Sequence, residues 1–161
     1  MSKLERILYY FAETELPVMV SEDYLQDYER DNNPFPQSFV DEVIPEWEKE
    51  IDEFTEFIPC FRIPAQENFH AVVYWKGGLL KYDFILVTLD KNGQMINRKS
   101  ISNTIVTGNI IKKSVASIET DLIINIIAGQ SMDGTEYDAG ESKAFSMEIL
   151  PNGEIIFNME V

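Results

Sequence analysis

Residues 69–101 consist of largely apolar segments of strand length separated by glycine-containing turns, the pattern of three antiparallel strands joined by two tight turns. Gly77-Gly78 suits a two-residue hairpin loop, which would place Phe69 opposite Leu86. Because side chains alternate across a strand, this register separates two faces. One is wholly apolar or aromatic and comprises Phe69, Ala71, Val73, Trp75, Leu80, Tyr82, Phe84 and Leu86. The other is mixed and comprises His70, Val72, Tyr74, Lys76, Leu79, Lys81, Asp83 and Ile85. We expect the N-terminal helices to pack on the apolar face.

The second turn of this region is Asp90-Lys91-Asn92-Gly93. Gly93 suits a left-handed backbone position. The turn is therefore either a two-residue Asn92-Gly93 loop or a type I turn followed by a glycine bulge. The two alternatives differ in register by one residue, and the sequence leaves both open.

The N-terminal third has the 3.6-residue periodicity and the capping residues of helices. Ser2 can cap an amphipathic helix that ends near Thr14, and Ser21 can cap a second one with acidic residues in its first turn. Ser38 can cap a third helix. Pro45 fits the first turn of a fourth helix, which we expect to extend to about Phe57.

The C-terminal part contains apolar segments of strand length separated by turn residues. We expect an edge strand from Cys60 to Ile63, because prolines flank this segment. Further along we expect a hairpin of 113–118 with 122–128, a polar loop over 129–142, and a last hairpin of 145–150 with 154–159 across Pro151-Asn152-Gly153. The predicted fold class is α+β, with N-terminal helices on one face of a C-terminal antiparallel meander of about six to eight strands. We expect a single domain over 1–161, in which 1–58 form an acidic helical layer and 59–161 the sheet.

A helical acidic leader, a D-x-x-G-x-x-I hairpin at Asp90, Gly93 and Ile96, and a terminal N-G-x-I-x-F hairpin occur in this order. With these features the chain resembles an uncharacterised group of small bacterial α+β proteins, many of them described only as hypothetical proteins or lipoproteins. The resemblance covers most of the chain and implies the fold but no activity. We expect no lipoprotein signal here, so an envelope location is not implied.

The composition is that of a folded protein, since 45% of the residues are hydrophobic. The formal net charge is −15, with 16 acids against 4 bases in residues 1–60 and 12 against 9 in residues 61–161. Such a field repels nucleic acid and anionic membranes, whereas it permits a basic protein partner. Cys60 is the one cysteine, no apolar run reaches bilayer length, and the N-terminus does not read as a signal peptide. We therefore expect a cytoplasmic location.

The residues that most catalytic and metal sites require are scarce. His70 and Cys60 are single residues of their types, so they predict neither a nucleophilic catalytic set nor a zinc site. Carboxylates cluster in the loop that contains Asp133, Glu136, Asp138 and Glu141. Their spacing departs from that of a calcium-binding loop, and a solvated loop is the favoured interpretation. No cofactor is predicted.

Two sets of residues carry the functional hypotheses. The favoured hypothesis is a non-enzymatic protein-binding or regulatory domain, for example an inhibitor or immunity-type protein that neutralises a basic partner. Its candidate surface consists of Glu46, Glu48, Glu50, Asp52, Glu53 and Glu56. The alternative is a small-ligand-binding protein or enzyme with a pocket between helices and sheet. Its candidates are His70, Tyr74 and Asp83, because the predicted register brings Asp83 opposite Val72, between the other two.

Overall fold

The computed structural model describes residues 1–132 and 136–158, and it describes their side chains except at 132 and 136–141. The described helices are α1 (Lys3–Leu8), α2 (Leu25–Asp31), α3 (Gln37–Glu42) and α4 (Ile44–Trp47), with a 3₁₀ turn (Glu22–Tyr24) before α2. The strands are β1 (Val18–Val20), β2 (Glu56–Arg62), β3 (His70–Gly77), β4 (Lys81–Leu89), β5 (Met95–Thr107), β6 (Ile110–Ile118), β7 (Ile123–Met132), β8 (Glu136–Ile149) and β9 (Ile155–Phe157). The predicted α+β class is therefore confirmed. None of these helices is long and apolar enough to cross a membrane.

The nine strands form one antiparallel sheet. Strands β2 to β9 are neighbours in the order of the sequence, as expected of a meander. The first part of β6 pairs with the end of β5, from Thr104↔Lys113 to Thr107↔Ile110. Its last part pairs instead with β1, from Val20↔Ala116 to Val18↔Ile118. The N-terminal third thus contributes one strand as well as the helices.

The hairpin of β3 and β4 has the predicted faces but not the predicted loop. The turn is wider than two residues, since the Gly78 N–H donates to the Lys81 carbonyl at 2.9 Å and Gly77 pairs with Tyr82. His70 consequently pairs with Leu89, whereas the predicted register paired it with Ile85. The difference of four positions is even, so the side chains within the two strands keep their predicted faces, whereas Leu79 and Leu80 lie in the turn.

The uniformly apolar face of this hairpin is covered mainly by the other half of the same sheet. Phe69, Val73 and Phe84 belong to a core in which they meet buried residues of β5 to β9, such as Ile101 and Ile126. In the described helices, only Leu25 and Tyr28 of α2 contribute to this core. The expectation that the N-terminal helices cover this face is therefore wrong for α1, α3 and α4. We call this face the inner face, because the sheet curls around it.

Curling brings the turn between β8 and β9 across to β4 and β5. The buried hydroxyl of Thr88 donates to the Gly153 carbonyl at 2.6 Å. Gly153 has a φ of +91°, and a Cβ there would lie 2.7 Å from the Ile96 side chain. The predicted Pro151-Asn152-Gly153 turn is thus confirmed, and its glycine also permits this close approach.

Three helices cover the opposite, outer face of β3 and β4. The sheet contributes Val72, Tyr74, Ile85, Val87 and Leu89, and the helical layer contributes Ile7, Phe11, Phe39, Val43, Ile44 and Trp47. Strands β3 and β4 are therefore buried on both faces. Their long apolar runs are typical of strands that are buried on both faces. The sequence indicated burial of the uniformly apolar face but not of the mixed face.

Several boundaries differ from the expected ones. Helix α1 is shorter than predicted, although Ser2 caps it by accepting from the Glu5 N–H at 3.1 Å. The turn after β4 is the type I alternative with a glycine bulge, because the Gly93 N–H donates to the Asp90 carbonyl at 3.0 Å and Gly93 has a φ of +81°. The predicted loop over 129–142 is wrong, since β7 extends to Met132 and β8 starts at Glu136. Of the carboxylates grouped there in the sequence, Asp133 lies outside the described residues, and the side chains of Glu136, Asp138 and Glu141 are not among those described.

The fourth helix shows the largest difference. It ends at Trp47 instead of near Phe57, and Pro45 occupies its first turn as expected. The following residues leave the helix, and β2 already begins at Glu56 as an edge strand paired with β3. The acidic segment between α4 and β2 is therefore a loop.

Candidate functional site

A buried carboxylate fixes the end of α4 to the outer face of the sheet. Glu48 follows α4 directly and is only 4% exposed. Its Oε1 accepts from Lys76 Nζ at 2.7 Å. Its Oε2 accepts from Arg98 at 2.5 Å from Nη2 and 3.2 Å from Nε. Residues from the helical layer, β3 and β5 thus meet at one carboxylate.

Tyr74 of β3 is the third residue that donates to the Glu48 carboxylate. Its hydroxyl donates a short hydrogen bond to Oε2 of Glu48. Its ring stacks on Trp47 of α4 with centroids 5.7 Å apart and an interplanar angle of 27°. Burial raises the pKa of the Tyr74 phenol, and the adjacent Glu48 charge raises it further. Tyr74 is therefore a neutral hydrogen-bond donor.

The sequence produces this arrangement through the two-residue period of the strand. Tyr74 and Lys76 share the outer face of β3, and Arg98 lies opposite Val87 on the same side of β5. Burial alone raises the pKa of Glu48, but hydrogen bonds from Lys76, Tyr74 and Arg98 outweigh it and hold the pKa below its ordinary value.

This network is better suited to a structural role than to catalysis. A carboxylate with a lowered pKa and four donated hydrogen bonds is a poor proton acceptor. The Trp47 ring also covers Tyr74 from the helical side. The network therefore joins the helical layer to the sheet and fixes the point at which the acidic loop begins.

The structure separates His70 from Asp83 but keeps Tyr74 and Asp83 as diagonal neighbours on one face. Asp83 lies opposite Lys76 rather than Val72 and accepts from the Ser100 hydroxyl at 2.8 Å. His70 pairs with Leu89 at the far end of β3. Tyr74 lies between these two positions and is hydrogen-bonded to Glu48. The three residues share one face, but His70 lies six positions along β3 from the residue opposite Asp83, so the predicted set of three is not brought together.

The six acidic residues of the candidate surface divide into three groups. Glu46 pairs with Lys3 at 2.7 Å in the helical layer, and Glu48 is buried. The remaining four are exposed carboxylates in or beside the loop after α4, namely Glu50, Asp52, Glu53 and Glu56. Among the described residues, none of these four forms a salt bridge.

Exposed apolar side chains accompany these four carboxylates. Phe54 is 66% exposed and Ile51 is 40% exposed. The tip of the hairpin of β3 and β4 exposes Leu79 to 80% and Leu80 to 56%. We refer to the four carboxylates and these four apolar residues together as the acidic end surface.

The pairing of β2 with β3 brings the two parts of the acidic end surface to one end of the sheet. Glu56 pairs with Gly77, so the residues before Glu56 and those after Gly77 both extend past the same end of these strands. The Lys76 charge also acts on Asp52, as one of the smaller contributions to its lowered pKa. The loop and the hairpin tip are therefore neighbours.

Local hydrogen bonds hold both parts in place. Oδ1 of Asp52 accepts from the Phe54 N–H at 2.8 Å and from the Thr55 hydroxyl at 2.9 Å, and these bonds lower the pKa of Asp52. At the hairpin tip, the Leu80 carbonyl accepts from the Val106 N–H of β5 at 2.8 Å. The backbone thus presents Phe54 and Leu80 to solvent in defined positions.

Comparison with known proteins brings no relative. No family model, no curated protein and no solved structure matches this chain. Any functional statement about it therefore depends on its own residues and geometry.

A groove lies on the outside of the helical layer. It has a volume of about 570 Å³ and lies between α1 and the pair α3–α4, with Ile7, Phe39 and Val43 among its apolar walls. Lys3–Glu46 and Arg6–Glu42 ion pairs, at 2.7 and 3.5 Å, connect its two sides. This is a groove within the helical layer, whereas the alternative hypothesis expects a pocket between helices and sheet.

Sequence reasoning did not find Lys76, Arg98 or the apolar part of the acidic end surface. Nothing in the local sequence connects Arg98 with a glutamate that precedes it by fifty residues. Leu79-Leu80 did carry a signal, because two leucines next to a glycine turn are unusual where polar residues dominate. That signal indicates an exposed apolar tip.

Proposed function

We propose that the protein is a non-enzymatic binding protein that uses the acidic end surface to engage a basic protein partner. The observation that carries this proposal is the exposure of Phe54, at 66%, and of Leu79, at 80%, among carboxylates that have no salt-bridge partner in the described chain. Apolar side chains at the centre of a polar rim are typical of protein interfaces. An aromatic anchor such as Phe54 can supply much of the binding free energy.

Charge favours a basic partner over a neutral one. The acidic end surface has four carboxylates, and the neighbouring exposed Lys49 and Lys81 offset part of their negative charge. The whole chain carries a net charge of −15, which accelerates encounter with a cationic protein. An inhibitor or immunity-type role in the cytoplasm, with a basic toxin or nuclease as the target, agrees with these features. The same charge disfavours nucleic acid as a ligand.

The experiment is a quantitative capture assay with matched variants. The immobilised protein is exposed to lysate of its source cells, and retained proteins are identified by mass spectrometry. Phe54→Ser is compared with Phe157→Ser, because Phe157 is exposed to a similar degree, 62%, on β9. A basic protein is expected with the unchanged protein and with Phe157→Ser, and it is expected to be lost with Phe54→Ser.

Salt and charge variants complete the test. The same partner should dissociate as ionic strength rises, and Glu50→Gln with Glu53→Gln should weaken it at low salt more than at high salt. Retention of one partner by Phe54→Ser and Phe157→Ser alike would contradict the proposal, as would a partner that is indifferent to salt.

A small-ligand function is the second candidate, and the groove beside α1 is the observation that favours it. A volume of about 570 Å³ is within the range of small-molecule sites. Ser38 lines the groove and is exposed, so that Ser38→Trp would fill it without disturbing the core. A metabolite panel read by thermal shift should then stabilise the unchanged protein but not Ser38→Trp. Equal stabilisation of both proteins would remove the groove from consideration.

A further inference from the structure

A depression in the sheet collects positive charge on this acidic molecule. It has a volume of about 280 Å³ and lies where β5, β6, β7 and β8 run side by side. Lys112, Lys113 and Lys143 line it, together with the amide side chains of Asn103 and Gln130. These are three of only 13 basic residues in a chain of net charge −15.

Strand pairing places Lys112, Gln130 and Lys143 on one face of the sheet, whereas the side chain of Lys113, the next residue of β6, leaves from the other face. Lys112 lies between Ile105 of β5 and Gln130 of β7, with which it is paired on its two sides. Lys143 of β8 lies opposite Ala128. The cations therefore come from two strands that are separated by β7.

The depression exists because the strand pairing is irregular here and the residues at its floor have small side chains or none. The register of β7 against β8 shifts between Ala128 and Gln130, and Gly129 has no side chain to fill the gap. On the other side, Oγ of Ser114 accepts from the Asn103 N–H at 2.9 Å. The Ser114 hydroxyl also lies 3.4 Å from Oδ1 of Asn103, which leaves the Asn103 amide nitrogen as a donor.

The positive charges are incompletely compensated. Lys113 lies 3.7 Å from the exposed Asp23 carboxylate, which is a loose pair. Lys112 and Lys143 are exposed and form no salt bridge in the described part of the chain. Lys112 and Lys143 are like charges that line one depression, so a bound anion would relieve their repulsion.

We propose that this depression binds the phosphate group of a small molecule. A phosphate carries close to two negative charges at neutral pH and accepts several hydrogen bonds. It therefore matches the ammonium groups of Lys112 and Lys143 and two amide donors better than a single planar carboxylate does. The volume suits inorganic phosphate or a small phosphate monoester, whereas the net charge of the molecule opposes a long polyanion. The site is independent of the acidic end surface.

The test uses the full chain, labelled with ¹⁵N, in a phosphate-free buffer of low ionic strength. Inorganic phosphate, a sugar phosphate and a short single-stranded oligonucleotide are titrated separately. Saturable shifts in amide resonances are expected with both small phosphates, and they should be confined to residues 103–113, 128–130 and 143. Lys112→Gln combined with Lys143→Gln should weaken binding at least about tenfold. Lys91→Gln, an exposed lysine in the turn after β4, should leave it unchanged.

Three results would overturn the proposal. The first is the absence of saturable shifts with either small phosphate at millimolar concentration. The second is an equal affinity of the double variant and Lys91→Gln, which would show general attraction of anions. The third is tighter binding of the oligonucleotide than of the sugar phosphate, which would assign the surface to nucleic acid. Thermal melting of each variant verifies that the exposed substitutions leave the fold intact.

Discussion

Arg98 and Glu48 are fifty residues apart in sequence, and Nη2 of Arg98 lies 2.5 Å from Oε2 of Glu48. This ion pair connects β5 with the residue that follows α4. Because the loop of the acidic end surface starts at the next residue, the pair also determines where that loop leaves the sheet. Stability and presentation of the proposed binding surface therefore depend on one buried carboxylate.

Glu48→Gln should destabilise the protein by about 2–3 kcal/mol. Glutamine preserves the shape but leaves Lys76 and Arg98 facing each other without their counter-charge. The cost should be below that of a fully buried pair, because these two side chains are 26% and 29% exposed. Urea denaturation measures the change in the free energy of unfolding.

Glu46→Gln is the matched control for this substitution. Its ion pair with Lys3 has the same 2.7 Å distance as the pair of Glu48 with Lys76, but its side chain is 42% exposed. We expect a loss of at most about 1 kcal/mol there. Equal losses of stability at both positions would show that Glu48 contributes no more than a surface ion pair does.

The Glu48 contribution should disappear in acid. The pKa of Glu48 is lower in the folded protein than its ordinary value of 4.5. Its contribution is therefore complete above about pH 4.5 and is lost as the pH falls through the lower folded value. The stability difference between the unchanged protein and Glu48→Gln should shrink along the same path. A difference that stays constant from neutral pH to pH 3 would contradict the lowered pKa.

The faces of β3 and β4 could be predicted from the sequence, but their offset could not. Alternation determines the parity of a strand, and any even shift preserves it. The width of the turn decides the offset, and Gly77-Gly78 permits more than one width. The sequence also could not show what each face packs against, because the inner face is covered by residues distant in sequence, such as Ile118 and Ile126.

The candidate site was predictable in composition but not in geometry. Trp47, Ile51 and Phe54 have the spacing of one helical face, yet only Trp47 is buried. The helix ends because Glu48 is held by Lys76 and Arg98, which are distant in sequence. Helical periodicity is a local signal, and here tertiary contacts override it.

Gly77→Ala should destabilise the hairpin of β3 and β4 by about 1–3 kcal/mol. A Cβ at Gly77 would lie 2.2 Å from the nearest atom of the Trp75 ring. The ring stacks on Tyr82 with centroids 5.8 Å apart, so it cannot move without losing this contact. Urea denaturation measures the loss, and the near-ultraviolet circular dichroism of Trp75 should change with it.

Gly78→Ala provides the comparison for Gly77→Ala. Its Cβ would lie 3.4 Å from the Lys81 carbonyl oxygen, which is an ordinary contact. We expect a stability change within about 0.5 kcal/mol. If Gly78→Ala were the more harmful of the two, turn conformation would matter more here than the space beneath Trp75.

Thr88→Val should reveal how much the closure of the sheet depends on one hydroxyl. Thr88 is fully buried, donates to the Gly153 carbonyl at 2.6 Å and accepts from the Asn97 N–H at 3.1 Å. Valine fills the same volume but satisfies neither group, and each orphaned group costs about 1–3 kcal/mol. Urea denaturation should therefore show a substantial loss, with faster hydrogen exchange at the Asn97 amide. Thr107→Val, at an exposed position near the end of β5, should change stability little. If the two threonine variants behaved alike, the turn between β8 and β9 would be held by its apolar contacts with Phe69 and Ile96 rather than by this hydrogen bond.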